Sequence, residues 1–337
     1  NPRDIKAQGD WFYCKGINQY WLHGYTNSPF KQEPGLLLGS YGSHFNRHNT
    51  WWNYAKGWFD YMARCQYMLQ EGNPKCDVLY YVGEDAPVDP ESDENLHPAI
   101  PFGYDYDFCN RDILESLEVK NGKLVLPNGL GYAVLTVLKS EHMRPEVLKV
   151  LQKLIKEGAV VVASKPTRVP GMNNTDAALA KLQKLTAEIW RKCDGNTVFK
   201  NKYGKGTIYT TESILEACKD CNLLPDFDFT LENADEYGET LFPGNGMEFI
   251  HRRTALTDVY FVSNQHYKAK IIKAKFRVAD KLPELWDAET GEVITAPEYK
   301  KLADGRMEVT LRMEEAGSVF VVFRKGLAEE SANNFIP

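Results

Sequence analysis

The side chains best suited to chemistry lie close together in one stretch, residues 16–58. This stretch contains three of the seven histidines and four of the seven tryptophans, namely His23, His44, His48, Trp21, Trp51, Trp52 and Trp58. Imidazoles donate and accept hydrogen bonds, and indoles present flat apolar faces, so together they suit a sugar ring and its hydroxyl groups. A buried aromatic belt between domains would explain the same composition, and the sequence leaves both explanations open.

The elements around this stretch are those of one strand-loop-helix unit. Residues 17–23 are rich in β-branched and aromatic residues and predict a short buried strand. A long loop with several prolines and glycines follows, and long irregular loops in compact domains are often functional. Apolar residues recur at helical spacing over residues 49–72, with Asn49 or Thr50 as the expected cap. In parallel α/β structures, ligands bind at the carboxyl ends of strands, where this loop begins.

Length and charge limit the class of protein. At 337 residues the chain is expected to form two or three domains. The net charge is -6 and no basic stripe occurs, which argues against a nucleic-acid partner. No apolar run is long enough to span a bilayer. The chain does not begin with Met and shows no signal peptide, so we expect a fragment or a processed product.

The seven cysteines do not predict a disulfide framework, because their number is odd and they are spread along the chain. Cys218 and Cys221 form a CxxC motif inside a helical pattern, with no second pair and no histidine nearby. We expect these thiols to pack a buried helix face, with a metal or redox role as the weaker alternative.

Residues 76–228 alternate between strand and helix patterns, as in a doubly wound, flavodoxin-like sheet. The predicted elements are strands at 76–82, 132–138, 159–163 and 207–210, helices at 110–116, 144–157, 176–190 and 213–221, and a hairpin turn at Asn121-Gly122. The region contains no GxGxxG motif and no P-loop, so no nucleotide cofactor is expected.

From about residue 231 the periodicity changes from helical to alternating. Strands are predicted at 247–251, 258–264, 269–278, 284–286, 307–312 and 318–324. This pattern predicts a small antiparallel β-sandwich without obvious chemistry of its own. The residues after 325 are expected to be a loosely docked or disordered tail.

Several motifs resemble those of one family. They are GINQYWLHGYTNSPF, PGLLLGSYGSHFNRHNTWW, DYMARCQYMLQEG, GYDYDFCN, VKNGKLVLPNGLGYAVL, MRPEVL, FIHRR, YFVSN, PELWDAETG and AGSVFVVF. Together they resemble the C-terminal half of the large α-L-rhamnosidases of glycoside hydrolase family 106. The resemblance covers nearly the whole chain, and it is specific in the first stretch and generic in the β-rich part.

The resemblance implies an architecture of α/β followed by all-β. Residues 1–75 would be the last strands and helices of a (β/α)8 catalytic barrel. Residues 76–228 would form the flavodoxin-like domain, residues 229–327 the β-sandwich and residues 328–337 a tail.

The resemblance also implies a function. The family hydrolyses terminal α-L-rhamnose with inversion of configuration and is associated with calcium in the active site. The implied partners are a rhamnose-containing oligosaccharide or polysaccharide and the missing N-terminal part of the barrel, with no nucleic acid and no membrane. The implied location is the periplasm or the cell exterior.

The catalytic carboxylates are expected elsewhere. An inverting glycosidase needs a general acid and a general base about 6.5–9.5 Å apart, and before His23 the chain offers only Asp4 and Asp10, on a helix-like segment. The candidates for lining a shared cleft or touching a metal are Glu84, Asp85, Asp105 and Asp107. Helix capping and hydrogen bonding at a domain interface are the favoured explanation for these four. We therefore expect this chain alone to be inactive.

The candidates for substrate contact come from the first stretch. His23, at the carboxyl end of a barrel strand, is the first candidate for a hydrogen bond to a sugar hydroxyl. Weaker candidates are Tyr25, His44, Asn46, Arg47, Trp51 and Trp52, with either tryptophan as a stacking platform. The main alternative is a non-catalytic carbohydrate-binding or structural module. An amidotransferase- or esterase-type domain is less favoured, because no GxSxG or GxCxG motif occurs.

Overall fold

The computed structural model describes residues 1–33, 35, 36, 39, 45–84, 96–138, 140–211, 213–232 and 246–325. The chain divides into two compact units, residues 75–228 and residues 1–74 together with residues from 229 onward. The first 74 residues, expected as a separate piece of a barrel, therefore share a unit with the β-rich part. The expected tail at 328–337 lies outside the described residues.

Two helices account for most of the regular structure in residues 1–74. Helix α1 (Pro2–Cys14) starts with a capping box, in which the Asn1 side chain accepts a hydrogen bond from the Arg3 backbone N–H at 3.0 Å. Helix α2 (Ala55–Gln70) follows a 3-10 turn at Trp52–Tyr54 and leads into the short strand β1 (Asn73–Pro74). The predicted start at Asn49 or Thr50 is wrong, because the chain enters α2 through the 3-10 turn and no side chain caps the helix.

The predicted strand over residues 17–23 does not form. Residues 17–24 have no regular structure, and the first β contact of the region is an isolated parallel bridge between Tyr25 and Phe45. A strand needs a neighbouring strand for its backbone hydrogen bonds, and no strand among the described residues pairs with this segment. A favourable local composition was therefore not sufficient.

The unit of residues 75–228 is a mainly parallel sheet covered by helices on both faces. Its elements are β2 (Val78–Tyr81), β3 (Tyr106–Cys109), α3 (Arg111–Ser116), β4 (Glu118–Lys120), β5 (Lys123–Val125), β6 (Gly131–Tyr132), β7 (Val134–Val137), α4 (Pro145–Glu157), β8 (Val160–Val162), a 3-10 turn (Gly171–Asn173), α5 (Asp176–Trp190), β9 (Lys200–Tyr203), β10 (Gly206–Tyr209) and α6 (Leu215–Asp220). The strand order is β3-β2-β7-β8-β10-β9, with only β9 antiparallel to its neighbour.

The alternation of side chains explains why the central strands read as continuous apolar runs. Leu79 of β2 and Leu135 of β7 point to the face covered by α4 and α5, while their neighbours Val78 and Val134 point to the face covered by α6. A parallel sheet buried on both faces leaves no strand face for polar residues. A separate three-stranded sheet, β4-β5-β6, turns at Asn121-Gly122, where both residues have positive φ (52° and 76°), as predicted.

The β-rich part consists of two antiparallel sheets. Its strands are β11 (Phe227–Leu231), β12 (Met247–Arg253), β13 (Thr257–Asn264), β14 (Lys270–Phe276), β15 (Leu282–Trp286), β16 (Val293–Thr295), β17 (Tyr299–Lys301), β18 (Met307–Met313) and β19 (Ser318–Arg324). The orders are β1-β12-β13-β19-β15-β16 and β11-β14-β18-β17. All six strands predicted from the sequence are present, whereas β11, β16 and β17 were missed.

The six-stranded sheet packs on both of its faces. On one face Phe276 of β14 contacts Tyr260 (ring centroids 4.8 Å apart) and Phe323 (5.2 Å). On the other face α1 and α2 pack against it, and the Tyr13 ring lies 5.9 Å from that of Phe261. Within the described ranges, no helix combines the length and the apolarity needed to cross a membrane.

Candidate functional site

Four aromatic side chains from the predicted binding stretch form one contact network with Phe59 of α2. The ring centroids of Tyr25 and Trp52 are 5.5 Å apart, and those of Phe45 and Trp51 are 5.6 Å apart. Phe59 of α2 joins the two pairs, at 6.1 Å from Phe45 and 6.2 Å from Trp52. The 3-10 turn before α2 thus places Trp52 against Phe59 of the helix and Trp51 against Phe45, with Tyr25 outermost and 57% exposed. Tyr25 and Trp52 can therefore present an aromatic face to a sugar ring.

Asn46 and Arg47 shape the loop and are engaged with it. The Arg47 guanidinium donates through Nη2 to the carbonyl oxygens of Ser28 (2.6 Å) and Phe30 (2.8 Å). Asn46 is buried, and its Oδ1 accepts a hydrogen bond from the His48 backbone N–H at 2.9 Å. Both side chains hold loop backbone in this structure, and their contact with substrate stays a prediction. Charged and amide side chains stabilise irregular loops in this way, because the loop backbone lacks partners of its own.

His23 is exposed and lies in the irregular segment, not at the end of a strand. Its predicted role depended on strand 17–23, so the structure supplies no strand end to position it. His44 lies outside the described residues.

A small pocket beside the loop was not anticipated from the sequence. It has a volume of about 240 Å³ and is lined by residues of 28–36, among them Ser28, Phe30 and Glu33. The Ser28 hydroxyl oxygen accepts a hydrogen bond from the Leu36 backbone N–H at 3.0 Å. Gly35 closes the turn with φ at 77°, and a Cβ there would lie 2.6 Å from the Ser28 hydroxyl. The Pro and Gly residues of this loop were the available signal, but they predict a turn and not a pocket.

The three candidate cleft carboxylates that the structure describes do not form one cluster. Glu84 follows β2, is buried, and accepts a hydrogen bond at 2.7 Å from the Arg144 backbone N–H at the start of α4. Asp105 immediately precedes β3, and since Val78 of β2 pairs with Tyr106 of the parallel strand β3, Asp105 lies at the opposite end of the sheet from Glu84. Asp107 accepts a hydrogen bond from the Tyr132 hydroxyl at 2.8 Å. Asp85 lies outside the described residues.

These contacts are those of structural carboxylates. Glu84 satisfies the amino end of α4, where the helix dipole and unpaired N–H groups favour a negative charge. Arg144 adds an ion pair at 3.4 Å. In the described part of the chain, no three histidine, cysteine, aspartate or glutamate side chains form a group that could hold a metal ion. Cys218 is buried in α6 and Cys221 is half-buried at its end, as expected for helix packing.

Comparison with known proteins identifies a family. The model of the α-L-rhamnosidase family, glycoside hydrolase family 106, matches residues 1–301. A Formosa agariphila protein named "Putative beta-glucuronidase" is 35% identical over 332 residues, which are 98% of this chain and 26% of that protein. The structure of a rhamnosidase from Novosphingobium sp. PP1Y superposes with a TM-score of 0.82 and 30% identity, covering 100% of this chain and 31% of that one. The chain thus spans about a quarter to a third of the length of these two relatives.

Proposed function

We propose, from the premise that this chain belongs to the α-L-rhamnosidase family, that it closes the catalytic barrel of a longer glycoside hydrolase. In this proposal residues 1–75 are the last elements of a (β/α)8 barrel whose other strands lie upstream. The chain contributes a sugar-contacting surface, and the rest of the barrel contributes the chemistry.

One observation carries the proposal: the first 74 residues expose large apolar side chains that a soluble surface rarely leaves uncovered together. Trp21 is 87% exposed and Phe30 is 72% exposed. The others that precede the 3-10 turn and α2 are Phe12, Ile17, Leu22, Tyr25 and Leu36. A barrel strand at 17–23 would gain hydrogen-bonding neighbours from the upstream strands, and those strands would cover its side chains Ile17, Trp21 and Leu22. The same absence of neighbours explains why that segment is irregular here.

The finer description of the other parts belongs to the same proposal. The order β3-β2-β7-β8-β10 with parallel pairing supports a flavodoxin-like fold for residues 76–228. The aromatic contacts between the two antiparallel sheets support a β-sandwich for residues 229–327. We assign no step of the catalytic mechanism to these two domains.

The mechanism assigns this chain to binding. Inverting hydrolysis needs an acid and a base on opposite faces of the sugar. Of the candidate carboxylates, Glu84 binds the start of α4 and Asp107 accepts a hydrogen bond from Tyr132. Tyr25 and Trp52 would stack on the apolar face of the sugar and orient it. Calcium does not fit the described residues, because they contain no metal-holding cluster. If calcium acts in this enzyme, we propose that its ligands lie outside them.

The substrate is proposed to be a terminal α-L-rhamnoside of an oligosaccharide or polysaccharide, degraded in the periplasm or outside the cell. The name of the Formosa protein adds β-glucuronides as a second class to be assayed. The alternative is a carbohydrate-binding module. In that case the chain would bind sugar, and neither this chain nor a longer polypeptide that contains it would hydrolyse the sugar.

Hydrolysis of an aryl α-L-rhamnoside tests the proposal. We expect no turnover by this chain and turnover by a polypeptide extended upstream, with inverted anomeric product by NMR. In the extended polypeptide, Trp52→Ala should raise KM by about tenfold through the loss of stacking, whereas Tyr67→Ala, on an exposed part of α2, should leave KM unchanged. Activity of the short chain, or none in the extended one, would refute the proposal.

A further inference from the structure

A second cavity lies between α1, α2 and the loops that follow β15 and β18. Its volume is about 580 Å³, which is within the range of small-molecule sites, roughly 300–1,000 Å³. Tyr54, Gly57 and Trp58 line one side of it, and Arg3, Glu289 and Glu315 lie at its rim. It uses a different face of α2 from the one that Phe59 presents to Trp52.

The aromatic side of the cavity is firmly positioned. The Trp58 ring stacks on that of Tyr61 with centroids 5.6 Å apart and an angle of 26° between the planes. Tyr61 is buried and donates its hydroxyl hydrogen to Asp10, which fixes the pair. Tyr54, one turn earlier, is 81% exposed and forms the open edge. Two aromatic rings on one wall, one fixed and one open, suit a flat ligand with apolar faces.

An ion pair between Lys6 and Asp10 forms the floor of the cavity. The Lys6 ammonium donates to Asp10 (2.7 Å), to the Ala316 carbonyl (3.0 Å) and to the Ser318 hydroxyl (3.0 Å). Burial raises the pKa of the Asp10 carboxyl group, and the charge of Lys6 opposes that rise. Because a lysine has three N–H donors and all three are used, Lys6 fixes the floor and has no further N–H to donate to a ligand.

The rim supplies hydrogen-bond acceptors. The side chains of Glu289 and Glu315 are each at least half exposed. Glu315 pairs with Arg3 at 2.8 Å, and Glu289 lies 3.6 Å from Lys6. At the rim, the negative charges of Glu289 and Glu315 exceed the positive charge of Arg3. At the floor, the charges of Lys6 and Asp10 cancel, so the cavity has a net negative charge. That charge favours neutral ligands with hydroxyl groups over anionic ones.

We propose that this cavity is a second saccharide-binding site, for a neutral sugar that stacks on Tyr54 and Trp58 and donates hydroxyl hydrogen bonds to Glu289 and Glu315. It would hold a glycan apart from the surface formed by Tyr25 and Trp52. A multidomain glycosidase gains affinity for a polymer when two sites on one protein bind the same chain. The site does not depend on the position of the catalytic carboxylates.

The test uses saturation-transfer NMR to measure binding of methyl α-L-rhamnoside and of a neutral rhamnosyl tetrasaccharide to this chain. Tyr54→Ala should weaken tetrasaccharide binding by about tenfold. Gly57→Trp should abolish binding at this cavity, because a Cβ at Gly57 meets no atom within 4 Å and the indole can fill the cavity. Gly57→Ala and Tyr67→Ala are the matched controls, and both should bind as the unmodified chain does.

Two outcomes would overturn the proposal: no detectable binding by the unmodified chain, or equal binding by Gly57→Trp. Glucuronate should bind more weakly than rhamnose, and the opposite order would contradict the assignment of a neutral ligand. Binding here is measured without turnover, so its failure is distinguishable from a failure of hydrolysis by the longer polypeptide.

Discussion

Asp258 is the most heavily engaged carboxylate among those described in the β-rich part. It is buried and accepts hydrogen bonds from His251 Nε2 (2.9 Å), from Lys281 Nζ (2.7 Å) and from Arg253. Burial alone would raise the pKa of this carboxyl group, but the hydrogen bonds from His251 and Lys281 outweigh it and hold the pKa well below its ordinary range. The sequence alone does not predict that these residues meet, because their contact depends on the pairing of adjacent strands.

Asp258→Asn should lower the free energy of unfolding by about 3 kcal/mol at neutral pH, since it leaves the partly buried Lys281 ammonium and the buried His251 ring without their charged acceptor. The folded-state pKa is depressed, so the stabilisation is complete above the unfolded pKa of about 3.9 and is lost as the pH falls through the folded pKa. Urea unfolding from pH 7 to 3 should show the difference between the two proteins narrowing below about pH 4. Asp280→Asn, in an exposed pair with Lys301, should leave the midpoint unchanged, and an unchanged midpoint for Asp258→Asn would contradict this account.

Arg47 illustrates how a residue can be selected from the sequence while its contacts within the protein cannot be predicted. An arginine near a sugar-binding loop suggested substrate contact, but its guanidinium bridges the carbonyls of Ser28 and Phe30. Composition identifies which groups are available near a site. Only the path of the loop determines whether those groups face a ligand or the backbone.

Arg47→Lys should loosen the loop, because an ammonium cannot reproduce the planar two-carbonyl contact. The Leu36 amide, which donates to Ser28 at 3.0 Å, should exchange with deuterium about tenfold faster, as expected for the loss of roughly 1.4 kcal/mol. Arg64→Lys removes a similar contact to the Ala288 and Glu289 carbonyls and should not affect Leu36. Weaker sugar binding with unchanged Leu36 exchange would contradict this role in the loop and favour the predicted contact of Arg47 with substrate.

At the scale of elements, the most regular patterns were predicted closely. Helix α5 has the predicted bounds, Asp176–Trp190, because its cap and its apolar spacing are local signals. Strand 17–23 failed because a strand depends on partners that local sequence does not specify. The short strands β16 and β17 were missed for a related reason: they are exposed on every residue and lack the alternation that marks a half-buried strand.

The junction between α2 and β1 depends on one glycine. Gly72 has φ at 64°, and a Cβ there would come within 2.7 Å of the Arg253 carbonyl carbon. Gly72→Ala should therefore destabilise the unit by about 2 kcal/mol or more in urea unfolding. Gly57→Ala in the same helix meets nothing within 4 Å and should stabilise by about 0.5–1 kcal/mol. Equal effects of the two substitutions would show that the close approach at Gly72 does not constrain the junction.

At the scale of the whole molecule, the change of pattern near residue 229 was visible in the sequence, and Asp228 ends the unit that begins at Lys75. The association of the first 74 residues with the β-rich part was not visible, because it depends on contacts such as that of Tyr13 with Phe261. These contacts join residues far apart in the chain, and no local pattern encodes them.

The central claim is that residues 1–74 complete a barrel with upstream strands. Deuterium exchange of the amides in residues 21–25 tests it most directly, in this chain and in a polypeptide extended upstream. We predict little protection in this chain, where residues 21–24 are irregular, and exchange about 100-fold slower or more in the longer polypeptide. The amides of Val134–Val137 should exchange alike in both. Equal exchange at residues 21–25 in the two polypeptides would contradict the account.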